Sequence, residues 1–236
     1  MKKTLIEIYQ QHGVPPNLAE HMLTVAALGK LISHHWTGPT VDEVVLIDTL
    51  LLHDIGNLIK FELNSNSSRE MLQNSLLHLS QLEKTLEYWQ EKQQQMIEAY
   101  GTSADQANLA IIKKLGFESK IVDLLSNHSF ESLEEHLETP NWEKKLVFYC
   151  DLRVTPQGLA SVEERVHDLR SRYRHRDHKW NNENTYQRWL ASSLELEKQI
   201  EELTDFPLNQ IQDSDLLPLI QELANYSLEV SDQSHH

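Results

Sequence analysis

An all-α fold is what this 236-residue chain predicts, and three observations carry the prediction. Glycine and proline number only seven each, so turn-punctuated short strands have little to build on. Apolar residues recur at helical spacing: His21, Val25, Leu28, Gly29 and Ile32 fall on one face, apolar apart from the histidine. Several segments also open on helix-capping residues, and no stretch shows strand alternation. At 39% hydrophobic residues the chain is long enough to bury a full core.

Taken in order, the first helix is expected over 17–36, after Pro15 and Pro16, with Asn17 as its cap. Thr40 and Glu43 make a capping-box pattern for a helix through "VDEVVLIDTLLLHD", with Gly56 as its stop. Its apolar residues run most of the way round, so it should be central and buried. Ser67 and Glu70 suggest a long helix over 68–98, and Ser103 with Gln106 a shorter one ending at Gly116. A further helix is expected over 118–127, closing near His128, and another from Trp142 to about Leu152 before a turn at Pro156 and Gly158. Ser161 and Glu164 cap "VEERVHDLRSRYRHR", and helices over 183–204 and 209–227 finish the chain.

The formal net charge of −15 argues against a general nucleic-acid binder, which needs a basic face to neutralise phosphates. It leaves room for a small anionic substrate. The single cysteine, Cys150, rules out an internal disulfide framework and suits a reducing, cytoplasmic setting. No apolar run approaches the roughly 20 residues that span a bilayer, and "MKKTLIEIYQQHGVPP" lacks the apolar core of a signal peptide.

Against this background "LLHDIGNLIKF" sets a problem, because two titratable side chains close one of the most apolar runs in the chain. His53 and Asp54 are either a helix-end turn or a pair of metal ligands anchored to the core. His21 and Asp151 stand in similar settings, the latter directly after "LVFYC". Singly, each reads as a satisfied core residue. Together, two carboxylates and two imidazoles in one core are hard to satisfy with hydrogen bonds alone, whereas one divalent cation satisfies all four.

An early helical histidine in "EHMLTVAALGKLI", the His-Asp pair in "LLHDIG" and a distant aspartate in "YCDLRVTP" resemble the HD-domain superfamily of metal-dependent phosphohydrolases. The middle segment "YGTSADQANLAIIKKLGFESKIVDLLSNHSF" is also similar, and the resemblance covers roughly residues 15–175. It implies an all-α HD core over residues 1–178 and a C-terminal helical extension over 179–236. It further implies one divalent metal held by His21, His53, Asp54 and Asp151. The ligand set suits Mn, Fe, Co, Ni, Zn or Mg. The implied reaction is hydrolysis of a phosphomonoester or phosphodiester, of nucleotide type, by a metal-activated water.

The chain departs from that pattern at Asn57, where some nucleotidases of the family carry a glutamate that moves protons; an amide can only position water or phosphate. Among the residues flanking the pattern, His128 is a candidate for phosphate orientation, proton transfer or a second metal, although one good extra histidine favours a single ion. Arg153 and Thr155 follow Asp151 closely enough to reach a phosphate, or else form a solvated turn. Arg165, Arg172 and Arg176, with Asp168 and Tyr173 nearby, make the one basic run, either a salt-bridged face or a phosphate-steering patch. Asp48 is a candidate partner for a ligating imidazole. His78 reads as structural, and His235 and His236 belong to a polar tail. The alternative function is a catalytically weak or inactive domain that senses nucleotides or binds protein. The amphipathic C-terminal helices are free to cover the core, close a substrate pocket or form a homodimer.

Overall fold

The computed structural model describes residues 1–63, 79–117, 119–126, 128–175 and 177–231, and these are mostly helical. The helices are α1 (Leu5–Gln11), α2 (Pro16–His34), α3 (Glu43–Leu52), α4 (Leu86–Tyr100), α5 (Ala104–Lys114) and α6 (Ser119–Leu125). Then follow α7 (Leu133–Glu138), α8 (Trp142–Leu152), α9 (Val162–Tyr173), α10 (His178–Asn181), α11 (Glu183–Glu201) and α12 (Asp213–Leu223). Two small antiparallel strand pairs are also present: β1 (Lys2–Thr4) with β4 (Ser227–Glu229), and the hairpin of β2 (Val154–Thr155) with β3 (Gly158–Leu159). Among the described residues no helix is long and apolar enough to cross a membrane.

α2 is the central helix. Pro16 opens it with a preset φ, and Met22, Leu23, Val25, Ala26, Ala27 and Leu28 are fully buried on several of its sides. α3, α8 and α12 pack directly on it. Gly29 permits the closest of these approaches, because a Cβ there would run into the Leu50 side chain of α3. α3 itself buries Leu46, Ile47, Leu50, Leu51 and Leu52, as its nearly all-round apolar pattern requires. α11 lies across α7, α8, α9 and α10, and its Leu196 and Ile200 join the same core as α2 and α3. The chain ends meet in the β1–β4 pair, where Lys3 faces Leu228. The C-terminal helices therefore complete the core that the earlier helices begin.

Several element boundaries differ from the sequence expectation. α3 is capped by Asp42, whose carboxylate accepts from the Val45 N–H, in place of the Thr40 pattern. Gly56 does not end it. The ladder stops at Leu52 and tightens, with Ile55 N–H on the Leu52 carbonyl at 3.2 Å and Asn57 N–H on Asp54 at 2.9 Å, into a 3-10 turn at Asn57–Lys60. Gly56 serves a different purpose: a Cβ there would lie 2.6 Å from Asn108 N and 2.7 Å from the Ala104 carbonyl, so only glycine lets this turn press on α5. A continuous helix over 68–98 does not form, because the chain is non-helical at 83–85 and Thr85 caps α4 anew. Ser67, Glu70 and His78 lie outside the described residues. The Ser103 and Ser161 caps form as expected, the latter as a full capping box. α1, α7 and both strand pairs were not expected. The first two are short, and the strands are only two or three residues each.

Candidate metal centre

Three helices bring three of the four candidate ligands, His21, His53 and Asp54, into one group, with Asp151 beside both imidazoles but outside that group. His21 comes from the middle of α2, His53 and Asp54 from the tightened end of α3, and Asp151 from the last turn of α8. His21 Nε2 lies 3.3 Å from His53 Nε2 and 3.2 Å from Asp151 Oδ1. His53 Nε2 is 3.5 Å from the same Asp151 oxygen and 3.8 Å from Asp54 Oδ2, which sits 3.9 Å from His21 Nε2. His21, His53 and Asp54 each offer an atom within 4.8 Å of the others, a group able to hold a metal ion. Ligand-to-ligand edges of about 3.0–3.4 Å follow from bonds near 2.1 Å; the His21–His53 and His21–Asp151 separations match them, while Asp54, at 3.8 and 3.9 Å, stands wider.

The tautomer supports the same reading. His53 is buried, and its Nδ1–H donates to the Leu50 carbonyl at 2.7 Å, because a carbonyl can only accept. In the neutral ring Nε2 then carries the lone pair, and it faces His21 and two carboxylate oxygens. Burial alone would lower the His53 pKa, but Asp54 and Asp151 override it and raise it to about 9. Burial alone would raise the Asp151 carboxyl, yet hydrogen bonds from His128, His21 and His53 hold it well below the usual range. The cluster thus demands positive charge, whether a proton or a metal supplies it.

These residues line one end of a cleft of about 600 Å³. His128 and Asn57 also line it, and His128 Nε2–H donates to Asp151 Oδ2 at 3.2 Å. Arg165 lines it as well, 8% exposed, with Nη1 on Asp168 at 3.3 Å and a buried Nε that has no partner among the described residues.

Arg153 does not reach the cleft. Its guanidinium is buried under the β2–β3 hairpin, where it donates to the Ala160 carbonyl, the Tyr149 hydroxyl and Glu197. Thr155 donates to the Gly158 carbonyl within the hairpin, and Arg172 pairs with Asp168 at an exposed position. Asp48 faces Tyr226 on the far side of α3, away from the imidazoles. Arg176, His235 and His236 lie outside the described residues.

Sequence reasoning missed Lys60, which lines the cleft one 3-10 turn beyond Asn57 and pairs with Asp105 at 3.4 Å. It also missed Asn108, whose amide donates to the His53 carbonyl and so braces the turn that carries His53 and Asp54. The aromatic side chains Phe130, Phe148, Trp180 and Trp189 form another wall that was not foreseen. Each comes from a different element, so no local spacing announces them. No family model matches the chain, and neither a curated protein nor a solved structure does.

Proposed function

We propose that the protein is a metal-dependent phosphohydrolase of the HD type, acting on a phosphomonoester or phosphodiester of nucleotide type. The observation that carries this reading is the convergence of His21, His53 and Asp54 on one point, with Asp151 Oδ1 beside both imidazoles. His21, His53, Asp54 and Asp151 would hold one divalent ion. Of the ions named from the sequence, those favoured by mixed imidazole and carboxylate ligands fit best. Such an ion supplies Lewis-acid polarisation of a phosphoryl oxygen and an acidified water.

The chain's own residues have separable tasks. Asp151 bridges two roles, with Oδ1 at the ligand cluster and Oδ2 accepting from His128. That hydrogen bond fixes the His128 ring and leaves Nδ1 as the nitrogen for proton exchange with a leaving group or water. Asn57 orients by hydrogen bonding and moves no proton. Arg165 offers a guanidinium N–H for a phosphoryl oxygen.

The test is metal analysis of the purified protein with a screen of phosphorylated substrates, run in parallel on Asp54→Ala. Loss of both metal and turnover in the variant is expected. An Asp54→Ala protein that keeps full metal and full turnover overturns the reading. Asn57 in the cleft favours a second reading, a nucleotide sensor without catalysis, which binding without turnover under every divalent metal would support.

A further inference from the structure

The geometry points to a cleft whose second end binds a planar aromatic ring, built by the C-terminal part of the chain, so that the preferred ligand is a monophosphate of a nucleoside-like compound. Phosphoester chemistry is taken from the reading above; the aromatic end stands on separate observations. Trp180 of α10 and Trp189 of α11 line the cleft and pack edge to face, 4.7 Å between centroids, with Phe130 at 4.9 Å and 5.4 Å from them. Phe130 in turn rests on Phe148, whose ring lies 5.5 Å from that of His128. The apolar wall is therefore continuous with the metal cluster.

Tyr173, at the end of α9, also lines the cleft and is 37% exposed, one of the few large hydrophobic side chains open to solvent among the described residues. Its ring is stacked toward Trp180, 29° from parallel at 6.5 Å between centroids. A flat ring touching both faces needs about 7 Å, two contact distances of about 3.5 Å. A modest movement of the open Tyr173 provides that. Sugars and alkyl chains have no faces to stack and gain little there.

Charge limits the other end of the ligand. Among the described residues the lysine and arginine side chains lining the cleft are Lys60 and Arg165, and Lys60 is already paired with Asp105. Asp105, Glu131 and Asp177 also line it; Asp105 pairs with Lys60 and Glu131 with Lys179, so these carboxylates already hold the nearby cations that additional phosphates would need. Arg165, with its unpartnered buried Nε, is the group available for one phosphate.

Equilibrium binding to the full-length chain in EDTA, read as quenching of tryptophan fluorescence, tests this. Adenosine 5′-monophosphate is expected to bind roughly tenfold more tightly than ribose 5-phosphate, the scale of one base–aromatic stack. Adenosine 5′-triphosphate should bind no more tightly than the monophosphate. Tyr173→Ala should remove the preference and leave inorganic phosphate binding unchanged, while Tyr173→Phe, which keeps the ring face, should retain it. Equal affinity for the monophosphate and ribose 5-phosphate, or an unchanged preference in Tyr173→Ala, overturns the assignment. Because EDTA removes turnover, the two proposals fail separately. The expected binding without hydrolysis under any metal keeps the aromatic subsite and removes the phosphohydrolase reading; hydrolysis without base preference does the reverse.

Discussion

Asp151 and Arg153 stand two residues apart at the end of α8, each in a buried ionic cluster, and the clusters are opposites. Around Arg153 every strong group is answered: the guanidinium donates to the Ala160 carbonyl at 2.6 Å, to Tyr149 and to Glu197 at 3.1 Å, and Tyr149 O–H donates to Glu197 at 2.9 Å. Positive charge and acceptors balance, and the cluster ties α8 to α11. Around Asp151 no lysine or arginine answers the carboxylates among the described residues, and only histidines do. Two carboxylates and three imidazoles converge, and the one neutral tautomer open to His53 turns its lone pair toward other acceptors. A closed polar cluster is architecture; one whose imidazoles and carboxylates converge is a group that could hold a metal ion.

The largest expected effect comes from breaking the open cluster. Asp54→Ala should lose the metal and, with several kcal/mol of transition-state stabilisation gone, about a thousandfold in kcat. Asp54 is a quarter exposed and lies outside the apolar core, so the fold should survive. Breaking the closed cluster should do the converse. Arg153→Met leaves the Ala160 and Leu208 carbonyls without this donor and Glu197 without its cation, at a cost of about 3 kcal/mol in denaturant unfolding, with metal content unchanged. Metal loss in Arg153→Met at full stability would erase the distinction.

His128 probes the edge of the open cluster. His128→Gln keeps a side chain able to donate to Asp151 but cannot exchange protons, so metal content should hold while kcat falls about a hundredfold. Its pH–rate profile should flatten on one limb. The smallest effect belongs to Asp48, a partly buried carboxylate apart from both clusters, with Tyr226 as its hydrogen-bond partner. Burial, outweighing the hydrogen bond from Tyr226, raises its carboxyl to about 6. A folded-state value above the unfolded 3.8 means that its stability contribution is complete below pH 3.8 and is lost as pH rises through about 6. Asp48→Asn should therefore stabilise the protein above pH 6, by on the order of 2 kcal/mol, and change little at pH 4. Melting curves at the two pH values check it.

How far the sequence reached differs between the same two clusters. The meeting of the four candidate residues was legible because each is a polar interruption of an apolar helical pattern, and α2, α3 and α8 had to pack together to bury those patterns. Arg153 misled because its position beside Asp151 says nothing of partners 44 and 55 residues away. The tightening after Leu52 was hidden for a similar reason. Gly56 reads as a helix stop, but the approach of Asn108 that requires it is a tertiary contact. Lys60 depends on that turn. The aromatic wall depends on four elements meeting, and no spacing along the chain records their meeting.

The most direct measurement of the contrast is calorimetric titration of the chelator-stripped protein with Mn²⁺, with Arg153→Met and His53→Ala beside it. One ion per chain is expected for the native protein and for Arg153→Met, and none for His53→Ala. Absence of binding in the native protein for Mn²⁺ and for each of the other five ions, or equal binding in His53→Ala, would contradict a cation site at the open cluster.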